Sequence, residues 1–111
     1  MMGFAMFDLE CPTTKTTSAI TCLATDDISE KPVTACINCG RCVDACPSRI
    51  IPSRLADYAE RLNEEAFVKW EGMECVECGC CSYVCPAKRQ LKQSIGSMKK
   101  IVIANRKKRG N

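Results

Sequence analysis

The chain has 111 residues, of which 46% are hydrophobic but only 5% aromatic, with no histidine and a formal net charge of +3. One domain with a small apolar core is expected at this length, and such cores usually need covalent or metal cross-links. With no histidine there is no imidazole acid, base or ligand, and the six scattered glycines spell neither a dinucleotide fingerprint nor a phosphate loop.

Residues 1–7 and 18–25 are short apolar or β-branched runs separated by Pro12 and a threonine-rich turn, which predicts an antiparallel strand pair. A lone hairpin is marginal in water, so residues 1–27 read as the end of a larger β-rich domain. Cys11 and Cys22 lie here without ligand spacing and are expected to be packing residues. Residues 28–34 read as a linker, with Asp26 and Asp27 before it and Pro32 inside it.

From residue 35 the pattern changes. Cys36, Cys39, Cys42, Cys46 and Pro47 form C-x2-C-x2-C-x3-C-P. A helix is expected next, capped by Ser53, with Leu55, Ala59, Leu62, Ala66 and Trp70 recurring at three or four residues as a core stripe. The same cysteine pattern then returns as Cys75, Cys78, Cys81, Cys85 and Pro86. A basic helix follows with Leu91, Ile95, Met98 and Val102 on one face, and residues 106–111 read as a solvated basic tail.

The doubled run is the sequence pattern of bacterial [4Fe–4S] sites, in which the fourth cysteine serves the other cluster. Shifting the chain by 39 residues lays one run on the other and pairs Gly40 with Gly79, where lack of a Cβ lets backbone approach a cluster. Cys42 and Cys46 stand at i and i+4, on one face but a helical pitch apart, so one serves the near cluster and the other the far one. The expected sets are Cys36, Cys39, Cys42 with Cys85, and Cys75, Cys78, Cys81 with Cys46. Pro47 and Pro86 stop each turn. Cys80 pairs with Arg41 under the shift and is read as a non-ligand facing away. The fold class that follows is mainly α, a helical ferredoxin-type domain over residues 35–105 with two [4Fe–4S] clusters, preceded by a short β-hairpin.

Two other uses of these cysteines fit less well. A disulfide framework is at odds with an odd count of eleven, triplets spaced two apart, and a start lacking a basic and apolar signal pattern. A structural zinc on Cys36, Cys39, Cys75 and Cys78 leaves four equally regular cysteines idle. A reducing compartment is therefore expected. No apolar stretch approaches the roughly 20 residues needed to cross a bilayer.

Charge is divided along the chain. Residues 1–77 hold seven Lys or Arg against thirteen acids, net −6, while residues 78–111 hold nine and no acid, net +9. Two [4Fe–4S]2+ cores on eight thiolates would bring the whole to about −1. Arg106, Lys107, Lys108 and Arg109 have no interleaved aromatic residue, which argues against nucleic acid. Contact with anionic lipid or an acidic protein patch is the alternative to a solvated end.

On Ala35-Cys36-Ile37-Asn38-Cys39-Gly40-Arg41-Cys42 and Glu77-Cys78-Gly79-Cys80-Cys81-Ser82-Tyr83-Val84-Cys85-Pro86, the chain resembles the C subunit of Rnf-type ion-translocating ferredoxin:NAD oxidoreductases. Met1-Met2-Gly3 and Thr14-Lys15-Thr16-Thr17 resemble that subunit just ahead of its ferredoxin region. The resemblance implies a one-electron relay, with no bond-making catalytic residue, on the cytoplasmic side of a bacterial membrane and peripheral to it. It implies other subunits of the complex and ferredoxin as partners. It also makes residues 1–27 the end of a truncated β-grasp domain, and assigns FMN and NADH to a region upstream of this chain. Iron–sulfur subunits of heterodisulfide reductase or glycerol-3-phosphate dehydrogenase are the nearest rival readings, with a zinc-stabilised interaction module behind them.

Overall fold

The computed structural model describes residues 4–6, 8–27 and 30–110. Met1, Met2, Gly3 and Phe7 of the expected first strand, Ile28 and Ser29 of the linker, and Asn111 lie outside the described residues. Among the described residues five helices form, in order α1 Arg41–Asp44, α2 Pro52–Glu60, α3 Glu64–Lys69, α4 Cys80–Val84 and α5 Leu91–Arg109, with a 3-10 turn Gly72–Glu74 before the second cysteine run. Among the described residues there is no strand.

The expected strand at residues 18–25 is therefore not formed. Residues 8–27 are exposed throughout, and their backbone bonds are local turns such as Cys11 N to Asp8 O and Thr17 N to Thr14 O. Without a covering layer, the apolar side chains Leu9, Ile20 and Leu23 gain nothing by pairing. Cys11 and Cys22 are likewise exposed rather than packed.

The expected single helix after the first run is two. Pro52 opens α2 at its first position, so Ser53 lies inside the helix and does not cap it. At its end, Leu62 adopts a left-handed φ of 53°, its N–H bonding Ala59 O, while the Asn63 N–H bonds Tyr58 O. This is a Schellman ending with leucine where glycine is usual. The Asn63 side chain then caps α3 by accepting from Ala66 N at 3.0 Å.

That break changes which residues are inside. Phe67 is fully buried, whereas Leu62 is 69% exposed and Trp70 rests at the surface beside Tyr58 and Arg54. Gly72 meets the Phe67 ring so closely that a Cβ would lie 2.5 Å from it. Opposite, α5 crosses α2 and buries Ile95, Met98 and Val102 against Ile50, Leu55, Ala59 and Phe67. Each such side chain contributes roughly 1.5–3 kcal/mol. The expected apolar face of α5 forms as read. Its basic end remains helical to Arg109, with Asn105 donating to Glu64 Oε2 at 2.9 Å and Arg109 3.8 Å from the same oxygen.

Candidate iron–sulfur site

The two cysteine runs fold into the same loop twice. Each begins with a cysteine whose sulfur accepts an N–H from the residue two further on, Asn38 N to Cys36 Sγ and Glu77 N to Cys75 Sγ, both at 3.4 Å. Left-handed backbone recurs at Asn38 and Glu77, at Gly40 and Gly79, and at Arg49 and Lys88, each pair 39 residues apart. Gly40 and Gly79 start α1 and α4 with φ of 77° and 82°. A Cβ at either would meet no atom within 4 Å, so the backbone conformation, not crowding by protein, calls for glycine.

The runs then cross. Thr34 N donates to Ala87 O at 3.0 Å, joining the start of the first run to the end of the second. Ser48 Oγ donates to Glu74 O at 3.0 Å, joining the end of the first to the start of the second. Two cavities result. One is lined by Cys36, Cys39, Cys42 and Cys85, with Ser53 and Arg89 at its wall. The other is lined by Cys46, Cys75, Cys78 and Cys81, with Glu77 and Lys92. All eight cysteines of the two runs face one cavity or the other.

Cys42 and Cys81, at equivalent places, are the most buried of the eight and pack with Ala56 and Leu91 between the cavities. Cys36 and Cys39 are exposed, while Cys46, Cys75, Cys78 and Cys85 are half-buried. Burial pushes the Cys81 thiol up to about 11 and also raises Cys75. Burial thus favours the protonated form of these two thiols, and a metal that binds them as thiolates must release those protons. Cys80 is exposed and lines neither cavity; its thiol is raised by a hydrogen bond with Cys78. No disulfide joins the eleven cysteines.

Charged residues frame each cavity differently, and sequence reading missed both sets. Arg89 bonds Asp57 Oδ1 at 2.8 Å and Glu60 Oε1 at 3.0 Å, tying the exit of the second run to α2. Burial would lower its pKa, but the bonds to Asp57 and then Glu60 outweigh this and raise it. Lys99 donates to Cys75 O at 2.7 Å, and its Nζ lies 4.0 Å from Glu77 Oε1. Lys92 Nζ stands 4.0 Å from Glu77 Oε2. The 39-residue shift could have found Lys92, since it falls opposite Ser53.

The donor chemistry suits an iron–sulfur cluster. Each cavity is ringed by four soft sulfurs at the ends of short loops, with backbone N–H groups already turned toward sulfur. Among the described residues, no three Cys, Asp or Glu side chains converge as a single metal ion requires. Nor is any described helix long and apolar enough to cross a membrane.

Comparison with known proteins gives the same picture. The sequence model of the 4Fe-4S dicluster domain family matches residues 35–89. The C subunit of a Na(+)-translocating ferredoxin:NAD(+) oxidoreductase complex from Acetobacterium woodii is 41% identical over 97% of this chain and 24% of that protein. The C subunit of a proton-translocating ferredoxin:NAD(+) oxidoreductase complex from Clostridium ljungdahlii is 42% identical over 89% of this chain and 22% of its own length. The C subunit of an ion-translocating oxidoreductase complex from Methanosarcina acetivorans is 37% identical over 96% and 24%. The chain thus spans about a quarter of the length of these curated relatives. No solved structure matches it significantly.

Proposed function

Because this chain is a relative of the C subunit of the ion-translocating, Rnf-type ferredoxin:NAD oxidoreductases and carries a 4Fe-4S dicluster domain, we propose that it is a one-electron relay inside such a complex. Two [4Fe–4S] clusters carry the electron, each accepting and releasing one at a time. Cys36, Cys39, Cys42 and Cys85 hold the first; Cys75, Cys78, Cys81 and Cys46 hold the second. The observation that carries the reading is the pair of four-cysteine cavities made by the crossed runs.

The protein's own part is to hold and insulate. Left-handed turns at Asn38 and Glu77 aim N–H groups at the first sulfur of each loop, where such bonds favour the reduced cluster. Leu91, Ala56 and the two most buried cysteines fill the space between the cavities and exclude water there. Residues 35–105 make up the cluster-binding unit, with residues 28–34 as linker and 106–111 as a basic end. Residues 1–27 belong to a preceding β-grasp-like region, beyond which FMN and NADH bind in the longer protein. The chain works at the cytoplasmic face of a bacterial membrane, peripheral to it, between other subunits of the complex and ferredoxin.

Anaerobically isolated full chain is expected to be brown, with about eight iron and eight inorganic sulfide per chain. Colourless protein holding zinc would overturn the proposal.

A further inference from the structure

The cavities share their lining position by position under the 39-residue shift, and half of the paired positions exchange side chains. Asn38 in the first corresponds to Glu77 in the second, Arg89 in the first to Ile50 in the second, and Ser53 in the first to Lys92 in the second. Charge changes at all three pairs: an amide against a carboxylate, a guanidinium against an alkyl chain, and a hydroxyl against an ammonium.

Their surroundings show how that ammonium is kept in place. Lys92 is only 8% exposed, although lysine is rarely buried without a partner. Its Nζ lies 4.0 Å from Glu77 Oε2, and 4.6 Å from the Phe4 ring centroid, which shields it from water. Lys99 holds the other Glu77 oxygen at 4.0 Å. A Cβ on Gly96 would stand 3.2 Å from Glu77 Oε2, so glycine makes the room for this carboxylate against α5. In the first cavity, Arg89 has its charge engaged by Asp57 and Glu60.

We propose that Lys92 sets the potential of the second cluster: its ammonium, held at the cavity wall by Glu77, raises that cluster's reduction potential and separates it from the first. This inference rests on the two-cluster reading. A [4Fe–4S] core on four thiolates becomes more negative when it accepts an electron from its reductant. A cation fixed beside it in a poorly screened site therefore favours the reduced form. Burial works the other way, penalising the more highly charged state. The second cavity is the more buried, since Cys36 and Cys39 of the first are exposed. Lys92 is the counterweight, and as a positioning residue it acts on the cluster without ligating it.

Redox titration of the anaerobic full chain, followed by EPR, tests this. Lys92→Met is expected to lower the second midpoint potential and leave the first where it was. Glu77→Gln should move the second midpoint upward, and the double variant should return it toward the parent value. Equal shifts of both centres, or a second midpoint unmoved in the single variants, would overturn the inference. Should Lys92→Met lose its clusters, Lys92→Gln decides in its place, with Lys92→Arg expected to keep the parent potential. Iron and sulfide counts separate the two levels: a parent chain without clusters overturns the relay itself, whereas clusters with unmoved potentials overturn only the role of Lys92.

Discussion

After the first cysteine run come nine helical residues, a break and six more, whereas after the second come nineteen without interruption. The loops themselves are near copies, so the contrast lies in what each following segment must accomplish. Residues 52–74 have to turn back and deliver Cys75 beside Cys46, which the Leu62–Asn63 corner and the Gly72 close approach allow. α5 has no return to make; it lies straight across α2 and seals the shared core. Duplicated loops therefore rest on connecting elements that are not duplicated, and the core belongs to both halves at once.

That contrast can be broken most severely at the crossing cysteines. Cys46→Ser should abolish or cripple the second cluster and spare the first, while Cys85→Ser does the reverse. EPR of the reduced variants reads this directly, and loss of the near cluster in either variant would mean that the loops do not exchange ligands. Arg89→Ala comes next in size. Its partners are half exposed, so the loss is expected to be modest, about 1–2 kcal/mol. It should appear as earlier thermal loss of the helical signal, with the first cluster bleaching before the second. The smallest effect is expected at the corner itself. Leu62→Gly removes a left-handed leucine that is mostly exposed, and should stabilise by roughly 0.5–1 kcal/mol. A destabilised variant would show that Leu62 contributes packing the corner depends on.

The repeat was legible because cysteine, glycine and proline each do something there that few residues replace. The same reasoning found the α5 stripe, where Leu91, Ile95, Met98 and Val102 keep one helical period. It failed between the runs, because Leu55, Ala59, Leu62, Ala66 and Trp70 also keep that period, yet Asn63 offered a cap in mid-pattern and the chain used it. A left-handed leucine carries no sequence signature, so Phe67 went unread as the centre of the core. Cys11 and Cys22 misled in another way: burial habits of cysteine mean little in a segment with nothing laid over it. Lys92 and Arg89 look like ordinary helix charges in the sequence, since their partners are brought near only by the crossing.

The crossed hydrogen bonds at Thr34 and Ser48 also have a consequence in time. A chain emerging residue by residue from the ribosome offers only three of the first cavity's four sulfurs for some forty residues, counted from Cys42 to Cys85. The second cavity has its full ring once Cys81 is out. The site that begins first along the gene is thus the last to close, and iron delivered early would meet an open ring.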